Sequence, residues 1–334
     1  MSIISRFIGS KTQDGYSWDR NPIEQKQTTV KEQHGSFPFN YSEESFQYLS
    51  YAAATATAYN VGTYEQDNAH DWAAAVDYTV INPQELFVAV PGVETRKNCF
   101  FDPSTTLKVV LMLDEKKKEL LVVFGATNGS QSEAQDPAEK RCLFRRQCAQ
   151  IVFNLLGGVP ASYLLADKVV STVRSLFQDR HSPLNRYKDY TMTLVGHSQG
   201  GSLAQYVSLK QGTPSRVINS APLGAGLQYD IGSDKLKTAN RFIQHLSVDG
   251  DWLSDHPLAG RVDKIISALG IRTPGSFGIR KSISSPFKSR YEHHAYIVGS
   301  IGEHAGVGNP HYGQMLKNDL LPRYEKRLDL IKKP

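Results

Sequence analysis

From residue 107 onward, short apolar runs alternate with longer stretches whose apolar residues recur every three or four positions, as strands alternating with helices would. Leu107 to Leu113 and Glu119 to Phe124 are two such runs. The polar link Asp114-Glu115-Lys116-Lys117-Lys118 between them predicts an antiparallel hairpin with a solvated turn. Leu165, Val169, Val173 and Leu176 mark one face of a helix that ends near Asp179. Tyr190 to Val195 alternates polar and apolar side chains and is rich in β-branched residues, which predicts a buried strand. Ser202 to Gln211 then predicts a helix, with Leu203, Tyr206 and Val207 at helical spacing and Gly212 and Pro214 ending it. Arg216 to Asn219 and Phe242 to Val248 predict two more strands, and His294 to Ile301 a last one. Gln314 to Arg327 predicts a closing helix that Pro322 interrupts.

Ahead of the hairpin the pattern changes. Residues 1–40 are polar, with scattered aromatics and no period, and are expected to form an N-terminal arm. Ser42 caps a predicted helix that runs through the alanine-rich Tyr51 to Tyr59 and stops at Asn60 and Gly62. Asp71 to Asp77 suggests a short helix, and Glu85 to Val90 a strand ending at Pro91-Gly92. Residues 128–160 read as polar, then charged, then uncharged, while Ile265 to Leu269 is at most a short helix. Gly270 to Arg290, rich in Ser, Gly, Pro and Arg, predicts a loop whose arginines are solvated. No repeat and no linker divides residues 41–334. The expectation is a single α/β domain with a mainly parallel central sheet, antiparallel at its start, and helices on both faces.

Composition narrows the partners. A net charge of +5 over 334 residues favours anionic surfaces such as phospholipid headgroups without the basic density of a nucleic-acid binder. Cys99, Cys142 and Cys148 have no metal-ligand spacing and cannot all pair, which fits a reduced, cytoplasmic-type protein. Met1 to Arg20 carries no cleavable signal pattern, so export would need a route without one, as for a bacterial effector. The longest uncharged run, Gln147 to Ala166, is broken by Gln150, Asn154, Gly157, Gly158 and Pro160, and no transmembrane segment is predicted.

The chemistry concentrates at Gly196-His197-Ser198-Gln199-Gly200, a G-x-S-x-G sequence between a predicted strand and a predicted helix. A strand turning sharply into a helix strains the serine and pushes its hydroxyl out of the sheet. Gly196 and Gly200 are the small neighbours that this close approach needs, and Gly201 relaxes the first helical turn. The Gln199 N–H and the positive end of the helix then face the place where an acyl oxyanion forms.

A serine nucleophile needs a base within reach and an acid that orients the base. In this arrangement they follow in the order serine, acid, histidine. Asp249, Asp251 and Asp255 lie beyond the 242–248 strand, and Asp251 is preferred because Trp252-Leu253 can bury the loop behind it; Asp249 is the alternative. His311, in Gly306-Val-Gly-Asn-Pro-His311-Tyr, is the preferred base, with His304 as the alternative. His197 is read as a structural neighbour of the nucleophile, and His245 as a core or surface residue. Thr127, at the end of Val123-Phe-Gly-Ala-Thr127, is the second oxyanion donor. No cofactor and no metal is implied.

Together these residues resemble the class 3 lipase family of α/β-hydrolases. Phe124-Gly-Ala-Thr127 is similar to its F-R-G-T/S oxyanion segment, with Gly125-Ala126 in place of Arg-Gly. Leu194-Val-Gly-His-Ser-Gln-Gly-Gly-Ser-Leu-Ala204 resembles its V-x-G-H-S-L-G-G-A-L-A turn, and Val217-Ile-Asn-Ser-Ala-Pro222 the stretch that follows. Gly250-Asp-Trp252 and Pro310-His-Tyr312 sit where the family keeps its acid and base. The resemblance covers roughly residues 42–325 and implies an α/β-hydrolase fold, cofactor-free hydrolysis of lipid acyl esters through an acyl-serine, and a lid at residues 128–160. The esters that the resemblance implies are commonly triacylglycerol or phospholipid; the mild basicity and the apolar end of the lid region favour phospholipid at a membrane surface, with phospholipase A or lysophospholipase activity. An acyltransferase using the same serine, or a binding protein on an inactive hydrolase fold, are the rival expectations.

Overall fold

The hairpin places the rest of the sheet. Leu120 to Phe124 is apolar at every position, so it can be buried on both faces, as central strands of parallel sheets are. It forms β5 (Glu119–Phe124), paired antiparallel with β4 (Leu107–Asp114) in the register Asp114↔Glu119 to Val109↔Phe124. The structure is a computed structural model that describes residues 43–61, 73, 77–85, 89–96, 98–125, 137–251, 253–254 and 274–283.

From β5 the sheet continues in parallel. β6 (Thr191–His197) lies beside β5, followed in order by β7 (Ser215–Ile218), β8 (Ile243–Val248) and β9 (Ile279–Ile283). On the other side β4 pairs antiparallel with β3 (Cys99–Asp102), and β3 with β2 (Glu94–Arg96). β1 (Thr79–Val80) pairs with the far end of β4. The expected α/β class, mainly parallel with an antiparallel start, is therefore present.

Each face of the sheet has its own apolar core. On one face α1 (Glu43–Asn60) packs the buried Ala52, Ala53, Ala54, Ala56 and Ala58 with Val110, Met112, Leu121, Val123 and Val195. Alanines let a helix backbone approach the sheet closely. On the other face α3 (Ala161–Gln178) and α4 (Gln199–Gln211) cover Val109, Leu111, Leu120, Val122, Phe124 and Leu194. Alternate residues of β5 thus serve opposite cores, the period-two consequence of strand geometry. α4 is buried at every position from Gln199 to Leu209, and it ends at Gly212 in the left-handed conformation expected of a helix stop.

Several expectations need correction. Glu85 to Val90 was expected as a strand, but Glu85 lies in a turn and Ala89–Val90 are not in a strand. Asn82 accounts for this, because its side chain accepts from the Gln84 N–H and donates to Glu85, folding the Asn-Pro step into a turn. The predicted loop at 270–290 contains β9, the last strand among the described residues, whose mixed Ile279-Arg-Lys-Ser-Ile283 composition hides it from pattern reading. The β2–β3 hairpin was also not expected.

The region read as a lid contains a helix, α2 (Pro137–Leu155). Three short helices, α5 (Ala225–Ile231), α6 (Ser233–Lys237) and α7 (Ala239–Phe242), lead from β7 to β8. No described helix is long and apolar enough to cross a membrane. The residues proposed as N-terminal arm, the 265–269 helix, the 294–301 strand and the closing helix lie outside the described residues, as does all but Ala73 and Asp77 of the proposed 71–77 helix.

Candidate active site

β6 ends at His197 and α4 begins at Gln199, so Ser198 alone makes the turn between them. Its backbone sits at φ 57° and ψ −125°, a region that L residues rarely adopt and that costs about 1–3 kcal/mol. Three backbone hydrogen bonds hold it there. The Ser198 N–H donates to the Ile218 carbonyl (3.1 Å), and the Ser198 carbonyl accepts from the N–H groups of Ala221 (2.9 Å) and Ser202 (3.2 Å).

The glycines around the serine are there for space. A Cβ on Gly196 would lie 2.1 Å from the Gly200 carbonyl oxygen, and one on Gly200 would lie 2.4 Å from the Phe124 oxygen. On Gly201 it would lie 2.7 Å from the Ser220 Cβ. Gly201 is thus required by close packing against the next loop, rather than for relaxing the helix as the sequence suggested.

That loop, residues 219–222, backs the turn and is itself fixed. Asn219 has φ 41°; its N–H donates to the Leu246 carbonyl (2.9 Å) and its side-chain oxygen accepts from the Val248 N–H (2.8 Å). The buried Gln205 of α4 donates to Ser220 Oγ (2.5 Å) and the Ala221 carbonyl (3.3 Å) while accepting from the Phe277 N–H (3.0 Å). His245 is buried and its Nε2 accepts from the Ser220 N–H (3.3 Å), which fits the expected core role. Tyr163 donates to Ser202 Oγ (2.8 Å). Burial pushes the Tyr163 phenol up, with the Ser202 hydrogen bond acting in the opposite sense, so the group stays a donor.

Two of the candidate acids separate sharply. Asp249 is exposed, and its N–H continues the ladder to the Ile283 carbonyl (2.8 Å). Asp251 is fully buried, beyond the left-handed Gly250 (φ 78°). Its Oδ1 accepts from the N–H groups of Leu253 (3.0 Å) and Ser254 (2.6 Å), and its own N–H donates to the Val248 carbonyl (3.0 Å). Two backbone donors on one carboxylate oxygen fix the orientation of this buried side chain.

β5 also ends here, at the carboxyl edge of the parallel strands, since Phe124 pairs with Gly196. The Gly125 N–H donates to the Lys108 carbonyl (2.9 Å). A Cβ at 125 would lie 3.1 Å from the Lys108 Cβ, whose ammonium reaches the Val61 carbonyl (2.9 Å) at the end of α1. The stem of the buried Lys108 therefore occupies the space a larger side chain at 125 would need. Ser198, Gln199, Asp249 and Asp251 are among the described residues, whereas Thr127, Asp255, His304 and His311 lie outside them. No metal-ligating cluster occurs among the described residues. Sequence reading missed Asn219, Gln205 and Lys108; only the left-handed preference of asparagine offered a signal, and only for the first.

A strained serine between a parallel strand and a buried helix, at the carboxyl edge of a sheet covered on both faces, defines an α/β-hydrolase-type fold. No family model matches the sequence, and no curated protein matches it. Among solved structures the chain is similar to a lipase from Rhizopus microsporus var. chinensis, at 16% identity and a TM-score of 0.41, over 65% of this chain and 70% of that one. It is also similar to a triacylglycerol lipase from Penicillium expansum, at 18% identity and a TM-score of 0.40, over 72% and 80% of the two chains. A third is the Lip2 lipase from Yarrowia lipolytica, at 14% identity and 0.39, over 65% and 75%.

Proposed function

We propose that the chain is a serine carboxylic-ester hydrolase acting on lipid acyl esters, with phospholipid as its substrate class. The observation that carries the reading is the strained Ser198, held in an unfavourable backbone conformation by glycine-only contacts on both sides. Strain of this kind persists where surrounding structure fixes it, and it concentrates at sites of chemistry. Ser198 Oγ attacks the ester carbonyl, and a histidine takes its proton and returns it to the leaving alcohol. Asp251 orients that histidine and stabilises its charged form. The Gln199 N–H, at the start of α4, and the Thr127 N–H stabilise the oxyanion. Water then releases the acyl group from Ser198.

His311 is the base in this reading. His311→Ala is expected to lower turnover on the order of 10⁴-fold, close to the effect of losing the nucleophile, whereas His304→Ala leaves it within a few-fold. Steady-state kinetics on a soluble ester decides this. A dead His304→Ala beside an active His311→Ala would reverse the assignment.

Support for a lipid substrate comes from the end of α2. Val152, Phe153 and Leu156 are 45%, 52% and 64% exposed, and Leu164 at the start of α3 is 52% exposed. This apolar tip lies close to the nucleophile turn in bonding terms. Asn154, fully buried beside the exposed Phe153, donates to the Pro222 carbonyl (2.9 Å) and accepts from the Gly224 N–H (2.7 Å). One residue earlier, the Ala221 N–H binds the Ser198 carbonyl. Exposed Arg145 and Arg146 precede the tip on the same helix and suit an anionic headgroup layer. Replacing Phe153 and Leu156 together by serine should lower the ratio of vesicle to soluble-ester turnover roughly 30-fold, because each apolar side chain contributes on the order of 1 kcal/mol to interfacial binding.

The direct test is fatty-acid release, read by mass spectrometry, from vesicles of mixed phospholipid and neutral lipid. Free fatty acid with matching lysophospholipid is the expected result. Acyl transfer to an added alcohol in preference to water would favour the acyltransferase. Absence of both release and labelling by a fluorophosphonate probe would sink the reading.

A further inference from the structure

Arg280 belongs to a basic stretch that the sequence presents as a solvated loop, yet the structure puts it to different use. It lies on β9, opposite His245 of β8, and is only partly exposed. Its Nε donates to Ser247 Oγ (3.1 Å), and its Nη2 donates to the Ser254 carbonyl (2.8 Å). Ser247 is fully buried and itself donates to the Lys281 carbonyl (3.4 Å), so its hydroxyl is fixed from both sides. Ser254 is the last residue of the buried turn whose N–H groups hold Asp251 Oδ1. One planar guanidinium thus ties the strand before Asp251 to the turn after it. Two donors fixed in one plane can do this, whereas a single ammonium cannot satisfy both acceptors with the same geometry.

We propose that Arg280 is a positioning residue for the catalytic acid, setting the place of the Asp251 carboxylate through the Ser254 carbonyl. The inference rests on Asp251 being the acid of the hydrolase described above. Arg280 makes two hydrogen bonds, to Ser247 and Ser254, that lie one step from the carboxylate. Its effect passes through the turn: if the Ser254 carbonyl is released, the backbone donors to Asp251 Oδ1 shift and the carboxylate moves relative to the histidine it orients. Displacements of about 1 Å from a remote change can cost roughly 100-fold in rate.

The sign of the pH effect follows from charge. A carboxylate beside a histidine favours the imidazolium and raises its pKa, so a displaced carboxylate lets that pKa fall. The acidic limb of the activity profile then moves to lower pH even though the rate drops.

The test compares wild type, Arg280→Gln, Arg280→Lys, Asp251→Asn and the Arg280→Gln/Asp251→Asn double variant of the full chain, with folding checked by near-ultraviolet circular dichroism. Short-chain ester hydrolysis and fluorophosphonate labelling are measured from acid to neutral pH. Arg280→Gln should lower kcat about 10- to 100-fold with KM within twofold, and should shift the acidic limb downward in pH. In the Asp251→Asn background the same substitution should cost less than about twofold, because the group it positions has gone. Equal fold-losses in the two backgrounds, or an unmoved acidic limb, would overturn the proposal. Should Arg280→Gln not fold, Arg280→Lys carries the test: a smaller kcat loss with the same direction of limb shift supports it, and wild-type behaviour overturns it. If Asp251→Asn itself retains full turnover, the acid assignment has failed. If Asp251→Asn is inactive while Arg280→Gln behaves as wild type, only the role of Arg280 has failed.

Discussion

Ser198→Ala is expected to abolish fluorophosphonate labelling and to lower ester turnover on the order of 10⁴-fold or more, while leaving the fold in place. The variant removes only an oxygen, and three main-chain hydrogen bonds hold the turn: the N–H of residue 198 to Ile218, and its carbonyl to Ala221 and Ser202. Alanine keeps all three, and it carries the same backbone strain as serine because both have a Cβ. Ser198→Gly separates chemistry from strain. It should be equally inactive, yet it should melt above Ser198→Ala, since glycine relieves roughly 1 kcal/mol or more of the cost of φ 57°. Thermal unfolding of the two variants, beside labelling, measures both effects. Wild-type labelling in Ser198→Ala would remove this serine from the chemistry altogether.

Gly196→Ala should do the reverse and damage the fold along with the activity. The added methyl would meet the Gly200 carbonyl oxygen at 2.1 Å, its carbon at 2.3 Å and the Gly201 nitrogen at 2.6 Å. None of these is the movable end of a side chain. β6 and α4 would have to separate, yet α4 is held against β5, where a Cβ on Gly200 would itself lie 2.4 Å from the Phe124 oxygen. Overpacking against backbone belongs at the upper end of the usual range, about 3 kcal/mol or more. Gly232→Ala is the matched control. Gly232 has φ 88° but no heavy atom within 4 Å of an added Cβ, so its substitution costs backbone strain alone. Gly232→Ala should therefore keep the wild-type rate of probe labelling, whereas Gly196→Ala should lose at least 100-fold per folded molecule as the serine is displaced. Chemical unfolding and labelling kinetics check the pair.

Much of this arrangement is legible in the residues because its causes are local. A short β-branched apolar run such as Leu120 to Phe124, bounded by a polar link, reads as a strand, and Gly196, Gly200 and Gly201 around a serine signal a turn with no room for side chains. The hairpin link, the helix stop at Gly212 and the alternation of strands and helices from β4 to β8 follow from the same short-range rules. Strands whose burial depends on a distant partner were not legible. β9 becomes a strand through its pairing with β8, and its Arg280 reads as solvated until Ser247 and Ser254 are brought to it.

The choice between Asp249 and Asp251 has the same character. Both lie in one turn-forming stretch, and the amino-acid order alone offers only the apolar neighbours of Asp251 as a guide. The fold decides their environments: the Asp249 N–H is taken by β9, which leaves that residue at the surface, while the step through left-handed Gly250 turns Asp251 inward onto two backbone donors. The sequence by itself determined the hairpin, the parallel strands from β5 to β8 and the strained turn at Ser198, because hydrophobic period and glycine spacing act over a few residues. Tertiary structure alone decided which carboxylate is buried, how closely Lys108 packs over position 125, and which arginine holds the turn after Asp251, because those are contacts between strands and loops far apart along the chain.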